Sequence, residues 1–130
     1  MSRISGPFLD RIDIHLEVGR LAAADLTTGE GETSADVRKR ILEARERQER
    51  RLSGSGLSCN AEMGPKEVAA TVTFSAPARK MALDAFSRMK LSARAYYRAL
   101  KVAASIADLD GSPRVEEEHL AEAVSYRQRL

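Results

Sequence analysis

The stretch "KLSARAYYRALKVAASIADLDG", residues 90–111, decides the fold. As a helix it is apolar almost all round, from Leu91 and Ala93 through Leu100 and Val102 to Ile106 and Leu109. A helix so poor in polar surface reads as a buried helix. Arg94, Arg98, Lys101, Ser105 and Asp108 interrupt it at steps of four, three, four and three, one straight polar stripe. The stripe reads as the wet side of a buried helix. Ser92 is the natural N-cap and Gly111 the natural terminator, predicting a helix over 92–109. Arg94 then lies in the first turn, the positive end of the helix dipole, where a carboxylate is preferred.

A cation there costs a few tenths of a kcal/mol, up to ~1. The sign reverses if an anion docks, because free backbone N–H groups and a guanidinium then converge on it. The bland alternative lays the arginine stem on Tyr96 or Tyr97 with its head in water. Spacing alone leaves both open.

Composition sets the frame. The 130 residues fit one domain, long enough to bury roughly two-thirds of the unfolded surface. With 43% hydrophobic and 31% charged residues the chain has a globular balance. No apolar run approaches the ~18–20 residues of a membrane span, and the start "MSRISGPFLD" lacks a signal-peptide core. One cysteine, Cys59, cannot form an internal disulfide and points to a reducing, cytoplasmic compartment. His15 and His119, far apart and without a second cysteine, make no zinc site, and no metal is expected. A net charge of +2 says little about partners, and the excess of arginine over lysine follows base composition as readily as function.

Along the chain, "RIDIHLEVG" alternates strictly, with Ile12, Ile14, Leu16 and Val18 opposite Asp13, His15 and Glu17. That is a strand pattern, and no second strand of similar quality follows. A lone strand is not stable by itself. It is expected to have lost its sheet and, through about residue 30, to be mobile, so that the chain reads as a piece of something longer. Residues 21–32 form a polar linker. Thr33 with Asp36 opens a helix at about 34–52, with Val37, Ile41, Ala44 and Leu52 as a narrow apolar stripe and Leu42 beside them. Residues 36–51 hold seven basic and four acidic side chains, either an ion-paired solvated face or a phosphate-backbone contact. After a flexible loop, Pro65 opens a short helix to about Ala70, and Ser75 caps a helix over 76–89 with Met81, Ala82, Ala85, Phe86 and Met89 inward. The last helix begins near Glu116, with Val115 and Leu120 as a hydrophobic staple and His119 at the surface. The fold class expected is all-α: four main helices in a bundle, preceded by an orphan strand.

Chemistry-bearing motifs are missing from the sequence: no G-x-x-x-x-G-K-[ST], G-x-S-x-G or H-E-x-x-H occurs. The chain alone is expected to catalyse nothing. Arg11, in "SGPFLDRIDIH", is flanked by Asp10 and Asp13 and by spacing is an ordinary ion pair.

Taken together, "SGPFLDRIDIHLEV", "VRKRILEARERQERR", "CNAEMGPKE" and "LSARAYYRALKVAASIADLDG…VEEEHLAEAVSYR" closely resemble the C-terminal part of magnesium-chelatase-like AAA+ ATPases of the ComM (YifB) competence type. The likeness covers nearly the whole chain in the family's order. It implies residues 1–20 as a remnant of the AAA+ core and 33–130 as the helical lid. It implies Arg11 as the arginine finger reaching the neighbouring subunit's nucleotide, and Arg94 as sensor 2 near the ATP γ-phosphate. It further implies ATP and Mg2+ as cofactors of the full-length parent and none for this piece alone. Partners implied are the other subunits of a homo-hexamer, with DNA remodelling or branch migration as the work. DNA contact through the basic helix 36–51 is a weaker expectation, and no membrane is involved. Two alternatives stay open: a stand-alone helical module binding nucleic acid or protein, and a structural helical domain with no ligand.

Overall fold

The computed structural model describes residues 6–9, 11–26 and 31–127. Six helices are present among them: α1 (Gly6–Leu9), α2 (Ser34–Arg51), α3 (Pro65–Thr71), α4 (Ala76–Arg88), α5 (Ala93–Asp110) and α6 (Glu117–Ser125). Short 3-10 turns occur at Ala23–Leu26 and Asn60–Glu62. The long helices begin where side chains satisfy the first-turn N–H groups. Thr33 Oγ1 accepts from Asp36 N–H at 3.2 Å, and Ser92 Oγ accepts from Ala95 N–H at 3.1 Å. Ser75 Oγ likewise accepts from Ala78 N–H. Helix α5 ends at Gly111, whose φ of 72° suits a residue without Cβ.

Helix α5 is the hub, packed against α2, α3, α4 and α6. Its inward residues are small: Ala99, Ala103, Ala104 and Ala107 are all at most 4% exposed. Small side chains at these contacts let neighbouring helices approach closely. Around them close Leu52, Met63, Val68, Val115 and Leu120. The predicted staple is present, with Val115 and Leu120 each 1% exposed. No strand forms among the described residues; one isolated parallel bridge joins Phe74 to Val115. The chain is an all-α bundle of the lid type.

Three sequence expectations need correction. On α2 the inward residues are Ala44, Gln48 and Leu52, while Ile41 and Leu42 stay exposed. On α4 the deepest residues are Ala78 and Ala82; Phe86 is partly exposed and meets the Tyr96 ring edge-on, centroids 5.3 Å apart. His119 is buried rather than on the surface.

The segment 11–20 forms neither helix nor strand and reaches the bundle at defined places. His15 N–H donates to the Tyr126 carbonyl at 3.1 Å, just past α6. Beyond that point Leu16 and Val18 are exposed.

Candidate functional site

Below Arg94 the α5 stripe is a partly buried seam tied to other segments and not a plain wet face. At its lower end Asp108 is 1% exposed and takes a fork from Arg51: Nη1 to Oδ1 at 2.9 Å and Nη2 to Oδ2 at 2.5 Å. Asn60 Nδ2 donates to the same carboxylate at 2.9 Å and to Ser105 Oγ at 3.1 Å. Burial pushes the Asp108 carboxyl above its usual range, opposed by the Asn60 hydrogen bond and the Arg51 charge. Arg47 Nη1 caps the Asp108 carbonyl at 2.7 Å. Higher up, Lys101 Nζ donates to the Ala61 carbonyl at 3.1 Å. Each stripe residue below Arg94 therefore ties another segment to the hub.

The basic helix changes meaning accordingly. Arg47 and Arg51 turn inward to Asp108, and Arg40 pairs with Glu32 at 2.8 Å. Arg38, Lys39, Arg45 and Arg50 are exposed, interleaved with exposed Asp36, Glu43, Glu46 and Glu49. The outward face is thus close to electrically balanced.

At the upper end the setting is different. Lys90 has φ 49°, a left-handed conformation unusual for a residue with a side chain, and Leu91 N–H reaches back to the Phe86 carbonyl at 3.2 Å. This six-to-one bond closes α4 in a Schellman-type turn that aims the start of α5 outward. No glycine marks the turn, so the sequence carries no signal for it. Arg94 is exposed and has no hydrogen bond, ion pair or ring contact among the described residues. With the Ser92 cap taken by Ala95, the Ala93 and Arg94 N–H groups have no acceptor there.

Arg98, one turn below, meets the N-terminal segment. Its Nη1 donates to Asp13 Oδ1 at 2.6 Å and to the Arg11 carbonyl at 3.0 Å. The carboxylate that spacing offered to Arg11 is thereby engaged by Arg98. The Arg11 side chain is exposed with no partner among the described residues; Asp10 lies outside them. Among the described residues, both candidate arginines therefore present guanidinium groups without partners, and their segments meet at Arg98.

A second cluster holds Asp110, Glu118 and His119. His119 Nδ1 accepts from Glu116 N–H at 3.0 Å, so the neutral ring carries its proton on Nε2 and donates to Asp110 Oδ2 at 2.8 Å. With Nδ1 used as the cap, Nε2 has no lone pair for a metal. The histidine joins the start of α6 to the end of α5, a role its position in the sequence does not announce.

No described helix is long and apolar enough to cross a membrane. A family model described as magnesium chelatase, subunit ChlI C-terminal, matches residues 31–127. The chain is 41% identical over 129 residues to the competence protein ComM of Haemophilus influenzae, covering 98% of this chain and 25% of that protein. It is 39% identical over 129 residues to the uncharacterized protein YifB of Escherichia coli, at the same coverage. The chain thus spans a quarter of the length of these relatives. With three-quarters of its residues inside the family model, it belongs to the magnesium chelatase, subunit ChlI C-terminal family.

Proposed function

We propose that this chain is the lid of an AAA+ ATPase, with Arg94 as sensor 2 and Arg11 as the arginine finger. The observation that carries this is Arg94. A free guanidinium stands in the first turn of α5 beside two backbone N–H groups without acceptors, an arrangement unfavourable until an anion arrives. A nucleotide γ-phosphate is such an anion. Arg94 and the Ala93 and Arg94 N–H groups fit its oxygens in chemistry, and positioned cations stabilise the charge that develops there during phosphoryl transfer. ATP, held by Arg94 and the Ala93 and Arg94 N–H groups, would supply the transferable phosphoryl group, and Mg2+ would neutralise part of its charge. Arg94 acts within its own subunit, while Arg11, presented on a separate segment, serves the nucleotide of the next subunit in a ring. In this reading the protein is a cytoplasmic hexameric motor whose ATP cycle remodels DNA, in keeping with the ComM-type resemblance; one relative is named a competence protein.

ATP turnover by the full-length protein tests this. Arg94→Ala lowers kcat about 100-fold, the range found on removing one transition-state donor. Unchanged turnover would refute the assignment. The isolated chain has no ATPase activity, and steady turnover in a purified sample would contradict the division of labour. DNA contact through α2 rests on Arg38, Lys39, Arg45 and Arg50 alone. Fluorescence anisotropy with labelled DNA at two salt concentrations should show weak, salt-dependent binding; none at low salt would remove α2 from the DNA path.

A further inference from the structure

We propose that Arg98 and Asp13 form a strap that fixes the Arg11 segment to the helix bearing Arg94, so that the two arginines move as one unit. The functional weight of this rests on the nucleotide roles proposed above; the strap itself rests on geometry. One guanidinium nitrogen, Arg98 Nη1, holds both the Asp13 carboxylate at 2.6 Å and the Arg11 carbonyl at 3.0 Å. The donor stands one helical turn from Arg94 on the same face of α5. A second tie, His15 N–H to the Tyr126 carbonyl at 3.1 Å, fixes the direction of the chain as it leaves Arg11.

Apolar packing does little to hold the segment. Ile14 is 47% exposed, Leu16 70% and Val18 91%, so the grip is confined to residues 11–15, where Ile12 and His15 are half-buried beside the polar bonds. The Arg98 side chain is 21% exposed and that of Asp13 43%, so solvent screens the pair in part. Residues 11–15 touch the helix bearing Arg94 and the end of α6 through these bonds. A displacement of the α5 start by bound nucleotide is thereby carried to the backbone of Arg11. Arg98 and Asp13 touch no nucleotide in this scheme; they are positioning residues.

The test uses the 130-residue chain without nucleotide, so its outcome is independent of the ATP assignment. Amide residual dipolar couplings and hydrogen exchange are measured for wild type, Asp13→Asn, Arg98→Met and the charge swap Asp13→Arg with Arg98→Asp. In the wild type, couplings of residues 11–15 fit the alignment tensor of α5. Each single variant averages those couplings and speeds His15 amide exchange about fivefold, the equivalent of one favourable partly exposed ion pair. Exchange at Ala103 stays unchanged, showing an intact core. The swap restores the His15 protection towards wild type. Couplings that never fit the α5 tensor, single variants that leave them unaltered, or a swap that restores nothing would each overturn the strap.

Discussion

Replacing Asp108 by alanine probes the seam on which the bundle depends. The carboxylate is 1% exposed and receives the Arg51 fork and the Asn60 amide. Removing it leaves the Arg51 guanidinium only the Asn60 Oδ1 acceptor at 3.3 Å and takes one of two side-chain acceptors from Asn60 Nδ2. Breaking a buried pair from one side costs about 3–5 kcal/mol. The Arg51 side chain is 20% exposed and recovers some hydration, which places the loss near the lower bound, about 3 kcal/mol. For a packed region of this size, about 3 kcal/mol lowers Tm by roughly 12–24 °C. Urea unfolding of both proteins at pH 7, followed by circular dichroism at the helix band, measures it. A variant within about 1 kcal/mol of wild type would show that Asp108 holds nothing its neighbours do not already hold.

Other expectations follow from the same contacts. Because burial raises the Asp108 pKa in the folded state, the folded protein holds this proton more tightly than the unfolded chain, and that proton-linked part of the stability, present below the ordinary 3.8, is lost as pH rises through the raised value while the hydrogen bonds of the carboxylate remain. The stability of wild type relative to Asp108→Asn should therefore shrink as pH increases across the carboxylate range, and a gap that widens would contradict the sign. Gly111→Ala should destabilise by about 1–2 kcal/mol in thermal melts, since a Cβ at φ 72° is strained. That Cβ would also lie 3.3 Å from Arg47 Nη2; an unchanged Tm would refute the argument. Nitrogen-15 spectra should show neutral His119 protonated on Nε2, and an Nδ1–H tautomer would break the cap assignment.

Much of the fold is legible in the sequence because its determinants are local. Thr33, Ser75, Ser92 and Gly111 mark helix ends through neighbours within a few residues, and the observed boundaries follow them. The meaning of the α5 stripe is not local. Its partners Asp13, Asn60 and Arg51 lie 85, 48 and 57 residues from the side chains they meet, so a straight polar row looks identical whether it faces water or buried partners. The same reason hides the burial of His119, whose partner Asp110 comes from the previous helix. The inward face of α2 departs from its apolar stripe because Arg47 and Arg51 reach Asp108 from beside Ala44 and Gln48, which leaves Ile41 and Leu42 in solvent. For the candidate site, Arg94 is identifiable from the sequence as a cation at the wrong end of a helix dipole. The loss of Asp13 as a partner for Arg11 is not, since only the structure shows Asp13 turned to Arg98.

The central claim is that Arg94 reads the nucleotide of its own subunit and Arg11 that of the neighbour. Subunit mixing in the full-length protein tests it most directly. Arg11→Ala and Arg94→Ala proteins, each inactive alone, are combined in equal amounts and allowed to exchange subunits. An intact site then forms wherever an Arg11→Ala subunit receives Arg11 from an Arg94→Ala neighbour, about a quarter of sites in a ring of heterologous contacts. The account predicts ATP turnover in the mixture well above either variant alone. A mixture no more active than its components would contradict it.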